Sequence, residues 1–239
     1  MRITVSKEDY LKAIAEARAE GEPVIAATLA RWLGVSAPAV MMAVRRLSRD
    51  GLIRVDKDGH ITLSASGREI ADRLQTRHNL IERMLTEVFG MEWYKVHDEA
   101  ERLEHAVSED FERRLIEVLG GGKPCPHGHL PGRDSAQERR RLGWRPLDEI
   151  DSGKPVVVAS VFERDRRLLE YFDGLGLRPG THLLLKSRNC DETFTLRVAD
   201  KAVHLGRPAA SRIWVCEAGP EGRAKRKVAQ ARPSATPRR

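Results

Sequence analysis

The chain has 239 residues, 41% apolar and 32% charged, a balance that excludes fibrous and wholly disordered proteins and leaves room for two or three small domains. Its formal net charge of +7 is unevenly placed: residues 217–239 hold seven Lys/Arg against two acids, so only +2 remains for residues 1–216 and the total alone does not announce a nucleic-acid partner. No apolar run approaches a membrane span, and three cysteines (Cys125, Cys190, Cys216) are too few and too scattered for a disulfide framework. Residues 1–9 lack the apolar core of a secretory signal, so a reducing cytoplasm is the expected compartment.

Residues 1–72 read as three helices and a hairpin. Leu11, Ile14, Ala15 and Ala17 give 9–19 an apolar face, and Leu29, Ala30, Trp32 and Leu33 do the same for 24–33. Gly34-Val35-Ser36 is a turn, and a third helix follows over 38–50, opened by Ser36 or Ala37 with Pro38 near its start and closed by Gly51. Two apolar runs, 52–55 and 60–63, flank Asp56-Lys57-Asp58-Gly59 and make a hairpin wing. Helix-turn-helix plus wing is the arrangement that lays a helix in the DNA major groove.

Residues 1–72 carry eleven Lys/Arg against ten acids, so a small α+β domain unrelated to DNA is the competing reading. Distribution favours DNA: Arg45, Arg46 and Arg49 lie on the third helix and Arg54 and Lys57 in the wing, while most acids lie elsewhere. Ser36, Arg45, Arg46, Arg49 and Lys57 are the expected phosphate contacts. The start of the third helix, Ala37, Pro38, Ala39, Met41 and Met42, offers no side-chain donor or acceptor, so base readout is expected to rest on thymine methyls and DNA shape, with one methionine turned into the core.

Residues 73–122 read as helical and hold the most informative chemistry. His78 and Glu82 form an i, i+4 pair on 77–88, whose Leu80, Ile81, Met84, Leu85 and Val88 form a buried face. His97, Glu101, Glu104 and His105 recur at i, i+4, i+7 and i+8, which projects two imidazoles and two carboxylates from one helical stripe. A solvated amphipathic face is the plain alternative, but two helices with matching ligand types favour a cation site. Oxygen and imidazole donors without sulfur suit Mn²⁺ or Fe²⁺. Unpaired apolar surface here, through Phe111, Leu115, Ile116, Val118 and Leu119, is the expected homodimer contact.

Residues 123–152 read as a linker carrying Cys125 and His127, a thiol and an imidazole two residues apart. Short apolar strands and a helix over 166–172 make 153–216 a small β-barrel, and 217–239 reads as a disordered basic tail. The expected fold is therefore mainly α with β: an N-terminal winged helix-turn-helix, a helical dimerisation domain and a C-terminal SH3-like barrel.

These residues resemble the diphtheria toxin repressor family of metal-dependent transcriptional regulators in its three-domain form. The resemblance runs from Asp9-Tyr10-Leu11 through Ser36-Ala37-Pro38, Arg49-Asp50-Gly51-Leu52, Arg77-His78, Val96-His97-Asp98-Glu99-Ala100 and Glu104-His105 to Cys125-Pro126-His127-Gly128 and Leu177-Arg178-Pro179-Gly180. It implies a primary site of Asp9, Glu101, Glu104 and His105, and a second drawn from His78, Glu82, His97, Cys125, His127 and a C-terminal-domain acid, best matched by Asp165. Glu101 and Asp9 stand where iron-responsive relatives have Cys and Met, which resembles the manganese-responsive branch. Lys12 departs from one version of that branch, where an acid builds a dinuclear cluster, so two separate sites per subunit are expected. Leu168 stands where some relatives supply a Gln ligand.

The resemblance further implies Mn²⁺- or Fe²⁺-dependent repression of metal-uptake genes by a homodimer on double-stranded DNA, without a membrane or small organic substrate. An ion shared between domains would relieve repulsion of Asp9 by Glu101 and Glu104 and couple to DNA by about 1–3 kcal/mol. The rival class is a carboxylate/His metallohydrolase or oxygenase using the stripe as its active site. Such an enzyme needs an open coordination position and a base, and no additional nucleophile or substrate motif is evident.

Overall fold

The computed structural model describes residues 4–130 and 135–218, so nearly all of the expected basic tail lies outside the described residues. Among the described residues no single helix is long and apolar enough to cross a membrane.

The N-terminal unit is built from α1 (Val5–Ala19), α2 (Ala26–Leu33), α3 (Ala37–Arg49) and the hairpin β1 (Ile53–Val55) and β2 (Ile61–Leu63). Gly34 caps α2 at φ +64°, a left-handed conformation that turns the chain into α3. Ser36 caps α3, accepting a hydrogen bond from the Ala39 N–H at 3.4 Å, with Pro38 in the first turn. In the wing Ile53 pairs with Leu63 and Val55 with Ile61, while the Asp56 carboxylate accepts from the N–H groups of Asp58 and His60. Leu11, Ile14, Leu29, Val40, Leu47 and Ile61 centre its core.

The helix expected over 77–88 begins much earlier, as α4 (Ala65–Arg83), and ends in a π turn (Met84–Val88). Residues 65–76 continue the helix because Ser64 caps it, accepting from the Gly67 N–H, and Ala71 packs into the first core. The expected boundary at residue 72 therefore falls inside one continuous helix, which joins the first two layers. α5 (Val96–Leu103) and α6 (Glu109–Leu119) complete a small second core of Leu80, Ile81, Leu85, Val96, Ala100, Leu115 and Leu119.

Among its described residues the stretch read as a linker is structured in its second half, which corrects that expectation. It holds α7 (Ala136–Arg141), β3 (Arg145–Pro146) and a 3₁₀ turn (Leu147–Glu149), and Leu147 is fully buried in the third core. That core lies under an antiparallel sheet formed by β3, β4 (Pro155–Val161), β5 (His182–Arg188), β6 (Thr193–Val198), β7 (Lys201–Gly206) and β8 (Ile213–Glu217), in the order β3-β8-β4-β5-β6-β7. α8 (Arg166–Gly174) and α9 (Arg207–Ala210) complete this SH3-like unit. Trp93, from the loop before α5, is buried there and donates its indole N–H to Asp173 at 2.6 Å.

Candidate metal centres

The four-residue stripe of the α5 region does not converge on one point. α5 ends at Leu103, and Glu104 and His105 lie in the bend beyond it, so the stripe divides. Asp9, Glu104 and His105 form one cluster; His78, Glu82 and His97 form a second; and Glu82 recurs in a third with Cys125, His127 and Glu163. Within each, the candidate ligand atoms lie within 4.8 Å of one another.

In the first cluster, Asp9 from α1 reaches across to His105, Oδ1 to Nε2 at 2.8 Å, and Glu104 Oε1 lies 3.7 Å from the same nitrogen. His105 Nδ1 is 2.8 Å from Glu8. With Nδ1–H donating to Glu8, Nε2 is the ring nitrogen that can turn a lone pair to a cation held beside Asp9 and Glu104. Glu101, expected here, faces elsewhere: it lies 3.6 Å from His97, 3.8 Å from Lys12 and 3.3 Å from Arg164.

The expected repulsion between Asp9 and its neighbouring acids is answered by His105 at Asp9 and by Lys12 at Glu104. The buried Lys12 ammonium donates to both oxygens of Glu104, at 2.9 and 2.8 Å, and sits 2.9 Å from His78 Nδ1. A lysine at this point puts a tethered positive charge among the acids. Burial opposes the charged form of Lys12, but Glu16, Glu104 and Glu101 raise its pKa, while His78 and Lys12 hold Glu104 low against its own burial.

The other two clusters share Glu82 and are buried throughout. His78 Nε2 is 3.0 Å from Glu82 and 3.1 Å from His97 Nδ1, and His97 is 3.2 Å from Glu82. His127 Nδ1 lies 3.3 Å from Glu82 and 3.4 Å from Glu163; Cys125 Sγ is 3.7 Å from Glu163 and 4.0 Å from His127. His127 Nε2 donates to the carbonyl of Trp93 at 2.8 Å, which aims the lone pair of Nδ1 at two carboxylates and a thiol. Such a set fits a divalent ion. Without one, protons must stand in: burial opposes charging His78 and His127, yet Glu82 and its neighbours push His78 up to about 9 and His127 well above the ordinary histidine range. Burial, with Glu82 and Glu163, pushes the Cys125 thiol well up.

Glu163 replaces Asp165 as the acid supplied by the third domain. Asp165 is exposed and caps α8, accepting from the Leu168 N–H at 3.1 Å, so its carboxylate is engaged away from the cluster. An acid just before an apolar helical run is a helix-cap signal, and that signal was present in the sequence. Also unforeseen is His129, buried and 3.4 Å from Glu163. Gly128, at φ +90°, lets this loop cross β4, where the Val161 N–H donates to the His127 carbonyl at 3.0 Å.

Ser36, Ala37, Pro38, Ala39, Arg45, Arg46, Arg49 and Lys57 are all exposed. Met41 and Met42 are exposed as well, at 44% and 68%, which corrects the expectation that one of them is core. Val40, Ala43, Val44 and Leu47 fill the inner face of α3 and leave both methionines outside.

A winged helix-turn-helix joined by ion-ligand clusters to a helical layer defines a metal-responsive DNA-binding regulator. Family models agree piece by piece: the iron dependent repressor N-terminal DNA binding domain matches residues 2–61, its metal binding and dimerisation domain 64–130, and the FeoA domain 145–216. The diphtheria toxin repressor of Corynebacterium jeikeium is 35% identical over 73% of this chain and 82% of its own length, and the iron-dependent repressor IdeR of Mycobacterium tuberculosis is 38% identical over 70% and 73%. A solved manganese-dependent transcriptional repressor in complex with manganese superposes with a TM-score of 0.78 at 32% identity, covering 88% of this chain and 99% of the other. The chain belongs to the iron- and manganese-dependent transcriptional repressors of the diphtheria toxin repressor family.

Proposed function

We propose that the chain is a homodimeric repressor of metal-uptake genes that binds double-stranded operator DNA in the cytoplasm when Mn²⁺ is present, with Fe²⁺ as the alternative ion, and that catalyses no reaction. One observation carries this reading: Asp9 of α1 and Glu104 and His105 beyond α5 bring their ligand atoms within 4.8 Å, although α1 and α5 pack into different cores. Asp9 is one turn from the buried face of α1 that holds α3, so fixing Asp9 against α5 fixes where the recognition helix lies. The oxygen and imidazole donors of this cluster favour Mn²⁺ or Fe²⁺, and the matched relatives carry both metals in their names. A bound divalent ion supplies the positive charge that ties these donors together.

The second site is assigned to Glu82, Cys125, His127 and Glu163, with His78 and His97 alongside. His127 is oriented by Trp93, Cys125 offers a thiolate once its proton leaves, and Glu163 brings in the third domain. The exposed Arg45, Arg46, Arg49 and Lys57 are the phosphate contacts, and the two exposed methionines meet the groove.

Glu104→Ala is expected to abolish Mn²⁺-dependent operator retention in a mobility-shift assay while leaving the circular dichroism spectrum unchanged. Undiminished retention would overturn the assignment. The operator fragments are selected from genomic DNA under anaerobic titration with Mn²⁺ and Fe²⁺ in parallel, which identifies ion and target together.

A further inference from the structure

The polar stripe of α1 continues past the first cluster. Asp9, Lys12, Glu16 and Glu20 follow at i, i+3, i+7 and i+11, one face of the helix. Asp9 and Lys12 grip the second layer, as described. The remaining two grip arginines from farther along the chain: Glu16 takes Arg164 of the third unit and Glu20 takes Arg139 of α7, at 3.0 Å.

Arg164 is the more consequential of these. Its mostly buried guanidinium pairs with Glu16 Oε2, donates to Glu101 at 3.3 Å and to the Trp32 carbonyl at 3.4 Å, and lies 5.0 Å from the centre of the Trp32 ring. Trp32 in turn meets Phe162 edge-on at 6.4 Å, and Arg212 lies 4.4 Å from the Phe162 ring. One planar fork therefore touches α1, the end of α2 and α5. Glu163, the acid that enters the Cys125/His127 cluster, is its immediate chain neighbour.

We propose that Arg164 is the positioning residue through which occupancy of the Glu82/Cys125/His127/Glu163 cluster is relayed to α1 and to the Asp9/Glu104/His105 cluster. Drawing the Glu163 carboxylate into its cluster fixes the backbone that carries Arg164, and Arg164 then fixes Glu16 on the ligand-bearing face of α1. The third domain acts in this way as a relay between two ion sites. The inference rests on the two-site reading proposed above.

The test is a double-mutant cycle on the full-length protein, titrated with Mn²⁺ alone and followed by loss of the free-ion electron paramagnetic resonance signal. The unsubstituted chain is expected to take up two ions per subunit; fewer overturns the two-site reading, and the relay with it, before any variant is made. His127→Ala is expected to weaken the first site by about fivefold or more in the wild-type background and to leave it unchanged in an Arg164→Met background. Equal weakening in both backgrounds, or none in the wild type, overturns the role of Arg164 while leaving the two sites standing. Glu16→Ala removes the acceptor from the α1 side and is expected to reproduce Arg164→Met, so the outcome does not hang on the folding of one variant.

Discussion

Gly128 decides whether the Cys125/His127 loop can lie against β4. At φ +90° a side chain is strained, and a Cβ there would come within 2.1 Å of the Ala159 carbonyl. Gly128→Ala is expected to cost at least about 1–2 kcal/mol of stability and to lower Mn²⁺ uptake from two ions per subunit to one, as read by calorimetry. Acidity acts on the same residues. His78, raised to about 9, and His127 and Cys125, also raised, hold protons at neutral pH that an entering ion must displace. Mn²⁺ affinity is therefore expected to rise between about pH 6.5 and 8.5, by about tenfold per pH unit for each proton released, with the release itself measurable in weakly buffered solution. At this scale the residue types of the clusters were legible, but their membership was not: Glu101 faces away from the first cluster, His129 was unforeseen, and Glu163 stands where Asp165 was expected. Asp165 and Glu163 are two residues apart, and only the cap that Asp165 makes to α8 separates a structural acid from one facing His127.

Among the elements, α4 and α5 show how far periodicity carries. The i, i+4 pair His78 and Glu82 survives intact because both lie within one regular helix, at 3.0 Å. The longer stripe does not, because α5 stops at Leu103 and the following bend sends Glu104 and His105 toward α1 while His97 stays with Glu82. A helical wheel assumes that the helix continues, and no glycine or proline at 104–106 marks its end. The apolar outer face was foreseen only in part: Phe111, Ile116 and Val118 are exposed as expected, but Leu115 and Leu119 pack inward, and Val88, read as buried, is exposed beside Phe89, all around a core too small to stand without further cover. Val118→Asp is expected to convert the dimer to monomer in analytical ultracentrifugation and to abolish operator retention, since one head reads only one half-site.

For the whole molecule, the winged helix and the SH3-like sheet were readable because each is built from short-range patterns: caps, turns and alternating strands. How the units meet was not. Contacts such as Arg164 with Glu16, or His127 with Trp93, join residues far apart in sequence, and no local spacing encodes them. The same holds for Trp93, which periodicity assigns to no element and which anchors the middle layer to the third core.

Lys12 has a consequence for the starved state. Because the ammonium is covalently part of α1, chelation cannot remove it, and its two bonds to Glu104 keep the reading head loosely moored after the last ion has gone. A measurable fraction of promoters is therefore expected to stay covered in chelator-treated cells. Lys12→Met is expected to cut that residual coverage, seen as higher basal reporter output without metal, and so to widen the span between the on and off extremes.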